Sequence, residues 1–192
     1  MSINTANRAR QRTRKALLEA GIHLILERGY DGVTVSDIVR AADYGRSTFY
    51  LHFKDKEDLV WTLLKNQTDQ LDALVWEAVS QLESPLKEHR AWNIIFSTIE
   101  MQREFFAMLD SDLSRILRQR QKAYTIANFE AHYRSGRFSL FIGDVPPEIQ
   151  ARFVVGALLE VLDYWIDHPD SATPEQLKDQ FLRLLYRGDD AP

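Results

Sequence analysis

The 192-residue chain reads as all-α. Three observations predict this. Apolar residues recur at the i, i+3, i+4, i+7 spacing of amphipathic helices through most of the chain. No segment shows the strict alternation of a half-buried strand. Helix-start and helix-stop residues punctuate the sequence between the periodic stretches. With 45% hydrophobic and 27% charged residues, the chain is ordinary for a globular protein and long enough to bury a real core, which excludes wholesale disorder.

The first helix is expected from about Arg8 to Arg28, with Leu17, Ala20, Gly21, Leu24 and Ile25 on one buried face. Gly29 ends it, and Asp31-Gly32 turns the chain. Thr34 starts a second helix, with Asp37 at capping-box spacing and Ile38, Val39 and Ala41-Ala42 as its apolar side. Asp43-Tyr44-Gly45 is a turn. A short third helix runs from Arg46 to His52, anchored by Phe49 and Phe53. Asp55 caps a long fourth helix reaching about Leu82. Further helices are expected at about 85–107, 111–135, 147–167 and 174–187. Ser84-Pro85, Pro147 and Thr173-Pro174 mark their starts, and Gly136 and the break from Gly143 mark their ends. The division expected is 1–55 and 56–192.

The chain has no cysteine, so disulfides, thiolate nucleophiles and cysteine zinc sites are excluded. Walker, dinucleotide-glycine, HExxH and G-x-S-x-G motifs are absent, and the five histidines are dispersed without i, i+4 pairs. The expectation is therefore no enzyme, no cofactor and no metal. Residues 1–15 lack the apolar region of a signal peptide, and no apolar run approaches the ~20 residues of a membrane span. A soluble cytoplasmic protein is expected. The net charge of −4 hides an uneven distribution: residues 8–15 hold Arg8, Arg10, Arg12, Arg14 and Lys15 with no acidic residue among them, whereas the acidic excess lies beyond residue 60.

Two short helices, a tight turn and a polar third helix form the shape that enters a DNA major groove. Arg46, Ser47, Thr48, Tyr50 and His52 supply hydrogen-bonding groups, with Arg46 suited to a guanine edge and Thr48 to a base edge or a thymine methyl. Tyr50, His52, Lys54 and Lys56 suit phosphates, as do the backbone amides at Thr34. Spacing alone would fit an ordinary surface helix pair as well.

The wording narrows the choice. LLEAGIHLILERGYDGVTVSDIVRAADYGRSTFYLHFKDKEDL, with Gly29-Tyr30, Thr34, Ile38, Ala41-Ala42, Ser47-Thr48-Phe49-Tyr50, His52-Phe53 and Lys56-Glu57-Asp58-Leu59, closely resembles the DNA-binding domain of the TetR-type (TetR/AcrR) transcriptional regulators. The turn departs from the family pattern, with Asp43, Tyr44 and Gly45 in place of glycine, a small aliphatic and serine or threonine. Asp43 tolerates a left-handed backbone. Tyr44 suits either DNA contact or packing.

The resemblance implies an N-terminal three-helix DNA-binding domain with a helix-turn-helix and a C-terminal helical domain for ligand binding and dimerisation. It also implies a ligand-responsive regulator, a repressor by expectation, that binds a near-palindromic operator in double-stranded DNA as a homodimer. Segment 151–166 is apolar over more than one face, and Leu177, Phe181, Leu184 and Leu185 add a stripe. Val155, Gly156, Leu159, Leu162, Ile166, Leu177, Phe181 and Leu184 are the interface candidates, although both stripes also suit an intramolecular core. The aromatic-rich body suggests a pocket for a small organic effector, lined by Trp61, His89, Trp92, Asn93, Phe96, Gln102, Phe106, Tyr124 and Asn128. Alternatives left open are a family-like dimer serving as a protein-interaction module, and a ligand-independent DNA binder.

Overall fold

A computed structural model describes residues 2–103, 115–138 and 145–186. Among these stand eight helices and no strand: α1 (Ser2–Arg28), α2 (Val35–Ala41), α3 (Arg46–Tyr50), α4 (Lys56–Val79), α5 (Leu86–Met101), α6 (Arg115–Arg134), α7 (Pro147–Asp167) and α8 (Pro174–Leu185). Phe106, Gly143 and the expected helix ends near 107, 111 and 187 lie outside the described residues.

Local signals set most boundaries. The Thr34 hydroxyl accepts from the Asp37 amide while the Asp37 carboxylate accepts from the Thr34 amide, which closes a full capping box on α2. Thr173 and Gln176 repeat it on α8. The Asp55 carboxylate accepts from the Asp58 amide at 2.7 Å and caps α4. Gly29, at φ 74°, ends α1, and Asp43 holds the turn at φ 59°. Helix α4 ends at Val79, short of the expected Leu82, and α3 gives way to a turn after Tyr50. Helix α5 starts at Leu86 with Pro85 in the capping position and no side-chain cap.

The N-terminal helices close around Leu17, Ile25, Val33, Ile38, Phe49 and Phe53, all essentially excluded from solvent. Leu59, Val60 and Leu64 from the start of α4 complete this core. So does Leu117 of α6, which is fully buried there. Helix α4 is thus shared: Val75 and Val79, nearer its end, pack with Ala91 of α5 instead.

The body core joins α5, α7 and α8 through Trp92, Phe96, Val154, Leu158, Leu162, Trp165 and Phe181. Leu162, Leu177 and Phe181, expected at an interface between copies, belong to this intramolecular core, and Val155 is buried within the chain as well. The reason is that α7 must cover its neighbours on more than one side, so its broad apolar surface is used internally. Gly156, Leu159 and Ile166 are half-buried, whereas Leu184 is 79% exposed. The apolar side chains that α7 leaves outside are Ile149, Phe153 and Tyr164, which share one helical face with Gly156. A Cβ on Gly156 would meet no atom within 4 Å.

Candidate nucleic-acid interface and effector cavity

Phe49 and Phe53 anchor α3 from below and turn its polar side outward. Arg46, Ser47 and Tyr50 are exposed, Thr48 and His52 half-buried, and Lys54 exposed just beyond the helix. The start of α1 lies beside this surface. Burial lowers the His52 pKa, and the charges of Arg10 and Arg14 lower it further, so a positive field reaches the end of α3. Arg14 is itself held: it donates to the Thr62 hydroxyl at 3.2 Å and lies over the Phe53 ring at 5.2 Å. Arg8, Arg10 and Arg12 are exposed. The Tyr44 ring is 38% exposed, and its hydroxyl accepts from Thr13 of α1 at 3.5 Å, so Tyr44 both ties the turn to α1 and faces outward.

Two expected phosphate ligands are engaged elsewhere. The Lys56 ammonium donates to the backbone carbonyls of Tyr30 at 2.6 Å and Val33 at 2.8 Å, and sits 3.9 Å from the Tyr30 ring centroid. Burial lowers its pKa, with Asp31 opposing. Two of its three donors are therefore committed, and Lys56 acts as a clamp on the loop before α2 rather than as an outward-facing cation. The amides of Thr34 and Asp37 are likewise occupied by the capping box, so the start of α2 offers them to no phosphate.

A cavity of about 510 Å³ lies between α4, α5, α6 and α7. Its walls are mainly apolar, with Leu71, Val75, Trp92, Ile95, Phe129 and Leu158 among them. Trp92, Gln102 and Asn128 stand on its wall as expected for pocket residues. Trp61, His89, Asn93, Phe96 and Tyr124 do not. On α5 the cavity stripe is Glu88, Ala91, Trp92, Ile95, Thr98, Ile99 and Gln102, which turns the His89 and Asn93 side toward α8. There His89 pairs with Asn93, and Asn93 accepts from Lys178 at 2.7 Å. Phe96 packs on Phe181 in the core. Trp61 and Tyr124 meet edge to face along the α4–α6 seam, with Arg120 over Trp61 and Lys65 over Tyr124.

That seam is polar. Gln121 donates to the Thr68 hydroxyl at 2.7 Å, Tyr124 donates to Asp69, and His132 pairs with Asp72. Glu88, Gln121, His132, Tyr133 and Tyr186 are cavity residues that sequence reasoning missed. Glu88 sits in the first turn of α5, where an acidic residue looks like a solvated favourite of the helix dipole. Only the tertiary packing buries it, to 5% exposure.

Residues 17–61 match the family of bacterial regulatory proteins, tetR family. The uncharacterised HTH-type transcriptional regulator YxbF of Bacillus subtilis (strain 168) is 28% identical over 179 residues, 91% of this chain and 44% of YxbF. The chain thus spans less than half the length of that relative. Among solved structures, the fatty acid degradation regulator FadR of Bacillus halodurans superposes with a TM-score of 0.71 at 18% identity, covering 89% of this chain and 96% of that one. FadR of Bacillus subtilis, solved in complex with stearoyl-CoA, superposes with a TM-score of 0.65 at 20% identity, covering 89% and 96%. At these identities the solved structures share the all-helical fold. With the helix-turn-helix built on Thr34–Tyr50 and the family match across it, residues 17–61 carry a DNA-binding domain of the type found in the TetR-type transcriptional regulators.

Proposed function

We propose that the chain acts as a homodimeric, ligand-responsive repressor of a near-palindromic operator. The observation that carries the DNA-binding part is the exposed polar face of α3 beside the arginine-rich start of α1. Arg46 is the candidate for base reading, with Ser47 and Thr48 beside it, and Tyr50, His52, Lys54 and Tyr44 flank the contact. Two heads about 34 Å apart would read successive major grooves. The dimer reading is supported by the exposed Ile149, Phe153 and Tyr164 on α7 and Leu184 on α8, around the open backbone at Gly156.

Ligand response is supported by the cavity, whose volume lies within the range of small-molecule sites. B. subtilis FadR, of the same fold, was solved with stearoyl-CoA. Helix α6 supplies a connection. Gln121 and His132 line the cavity and bond to α4, while Leu117 on the same helix is a member of the head core. A ligand that favours a shifted α6 would move the head with it, to the extent of its differential affinity for the two placements. The division of function proposed is residues 1–55 for DNA and 56–192 for ligand and dimer.

The test is selection of bound fragments from random duplexes at stated salt, with sedimentation of the free protein. The expected result is one inverted-repeat motif and a dimer at micromolar concentration. Arg46→Ala should weaken the selected site by ~1–3 kcal/mol and relax one base position per half-site. Failure to select any motif refutes the reading and leaves a protein-interaction module.

A further inference from the structure

The cavity wall carries an imbalance of hydrogen-bonding groups. Among the described residues Glu88 Oε2, Gln121 Oε1 and His132 Nδ1 are buried without a hydrogen-bond partner, and the buried Tyr186 hydroxyl has only the Trp92 ring N–H against it. All four residues line the cavity. Buried polar atoms are nearly always paired, so the unpaired carboxylate oxygen of a residue on the cavity wall calls for an occupant that pairs it once the side chain turns inward.

Glu88 Oε2 and Gln121 Oε1 can only accept. Glu88 Oε1 already accepts from the Ser84 hydroxyl at 2.8 Å, which leaves Oε2 as an acceptor. Gln121 has committed its amide to Thr68, so its carbonyl oxygen accepts. His132 meets the Asp72 carboxylate through Nε2. An occupant beside Glu88 Oε2 or Gln121 Oε1 must therefore bring the donor.

Helices α5 and α6 give the cavity two distinct ends. Glu88 opens the α5 stripe and Gln102 closes it, about 21 Å away at 1.5 Å per residue. Tyr133 and Tyr186 share the Glu88 end. Burial raises both phenol pKa values, Tyr186 to about 12 with the Glu88 charge adding to the shift, so both keep their protons. Arg115, Arg118 and Lys122 occupy the opposite end, in the first two turns of α6, and are exposed. The buried carboxylate, the nearby phenols and the Trp92 ring suit a cation, and the stretch between the ends suits an apolar chain.

Resting on the ligand-responsive reading above, we propose that the effector is an elongated amphiphile with an N–H-bearing ammonium head seated against Glu88 and Tyr186, its apolar body lying along α5 toward Gln102. The ammonium supplies the donor that Glu88 Oε2 lacks, and the apolar wall takes the chain.

The experiment uses the full chain and three chain-matched probes below their micellar concentrations: decylammonium, decanol and decanoate. Thermal shift and calorimetry read each. Decylammonium should stabilise the protein and bind tighter than decanol, with decanoate weakest. Glu88→Gln, which keeps the acceptor for Ser84, should weaken decylammonium roughly tenfold or more and leave decanol unchanged. Tyr186→Phe, a milder change, should weaken decylammonium alone by a few-fold and covers the case in which Glu88→Gln does not fold. Decanoate or decanol binding tighter than decylammonium, or undiminished decylammonium binding in the variants, overturns the ammonium head and leaves the ligand-responsive reading standing. No stabilisation by any of the three overturns both.

Discussion

Lys56 separates two accounts of the same residue, as a phosphate contact or as an internal clamp. Lys56→Ala removes a charged donor to the Tyr30 and Val33 carbonyls and a cation from the Tyr30 ring. Hydrogen bonds from charged groups contribute ~1.5–3 kcal/mol each when buried. Lys56 is half-buried, and water can reach the freed carbonyls, so about 1 kcal/mol for each bond is the reasonable figure after that discount. The ring contact adds ~0.5–1 kcal/mol. The expected loss is about 2–3 kcal/mol of head stability. Urea denaturation followed by circular dichroism should show a lowered midpoint at an unchanged slope. Lys56→Met, which keeps the stem over Tyr30, should recover a minor part. The slope of log affinity against log salt, measured where both proteins are fully folded, should stay as in the wild type. A stability change within ~0.5 kcal/mol, together with a slope reduced by ~0.9 for each head, would refute the clamp and restore a phosphate contact.

Three further outcomes are expected. Gly156→Leu should keep the helix content of the chain, since a side chain there meets open space, yet shift the sedimentation equilibrium toward monomer; an unchanged dimer would place the interface elsewhere. His52 has a lowered pKa when folded, through burial and then Arg10 and Arg14, so below about pH 6.5 the unfolded chain takes up its proton first and the head loses stability as pH falls. His52→Gln should flatten that loss between pH 7.5 and 5.5, and a wild type that gains on the variant at low pH would contradict the sign. Thr34→Ala should cost ~1 kcal/mol by opening the capping box, read as a lower melting temperature of the head with base preference unchanged; altered base preference would show that Thr34 reads the operator itself.

The head was legible because its signals are local. A threonine three residues before an acid, an aspartate that tolerates φ 59° and two phenylalanines four residues apart each specify a neighbour within one turn. The body was less so, because its decisions are made between helices. Spacing shows that His89 and Asn93 share a face of α5, but only the position of Lys178 on α8 decides that this face is not the cavity. The apolar breadth of 151–166 has two explanations in sequence, core and interface, and the packing of α7 assigns Val155 and Leu162 to the first. Lys56, expected on phosphate, and Glu88, not singled out, share one cause: a charged residue in the first turn of a helix looks solvated until a tertiary neighbour covers it.

Leu117 bears on how such proteins can be recombined. The compact unit that presents α3 is not a contiguous piece of chain, for it includes the opening turns of α4 and one leucine from α6. A chimera cut at residue 55 and joined to a foreign body would need that body to offer leucine-sized side chains at the positions of Leu59, Val60, Leu64 and Leu117. Matching three of them and leaving a gap at the fourth would leave a hole where a fully buried leucine now sits. Hybrid regulators that exchange operator and inducer specificity should therefore be chosen by agreement at this one knob on α6 as well as by the joining point in the chain.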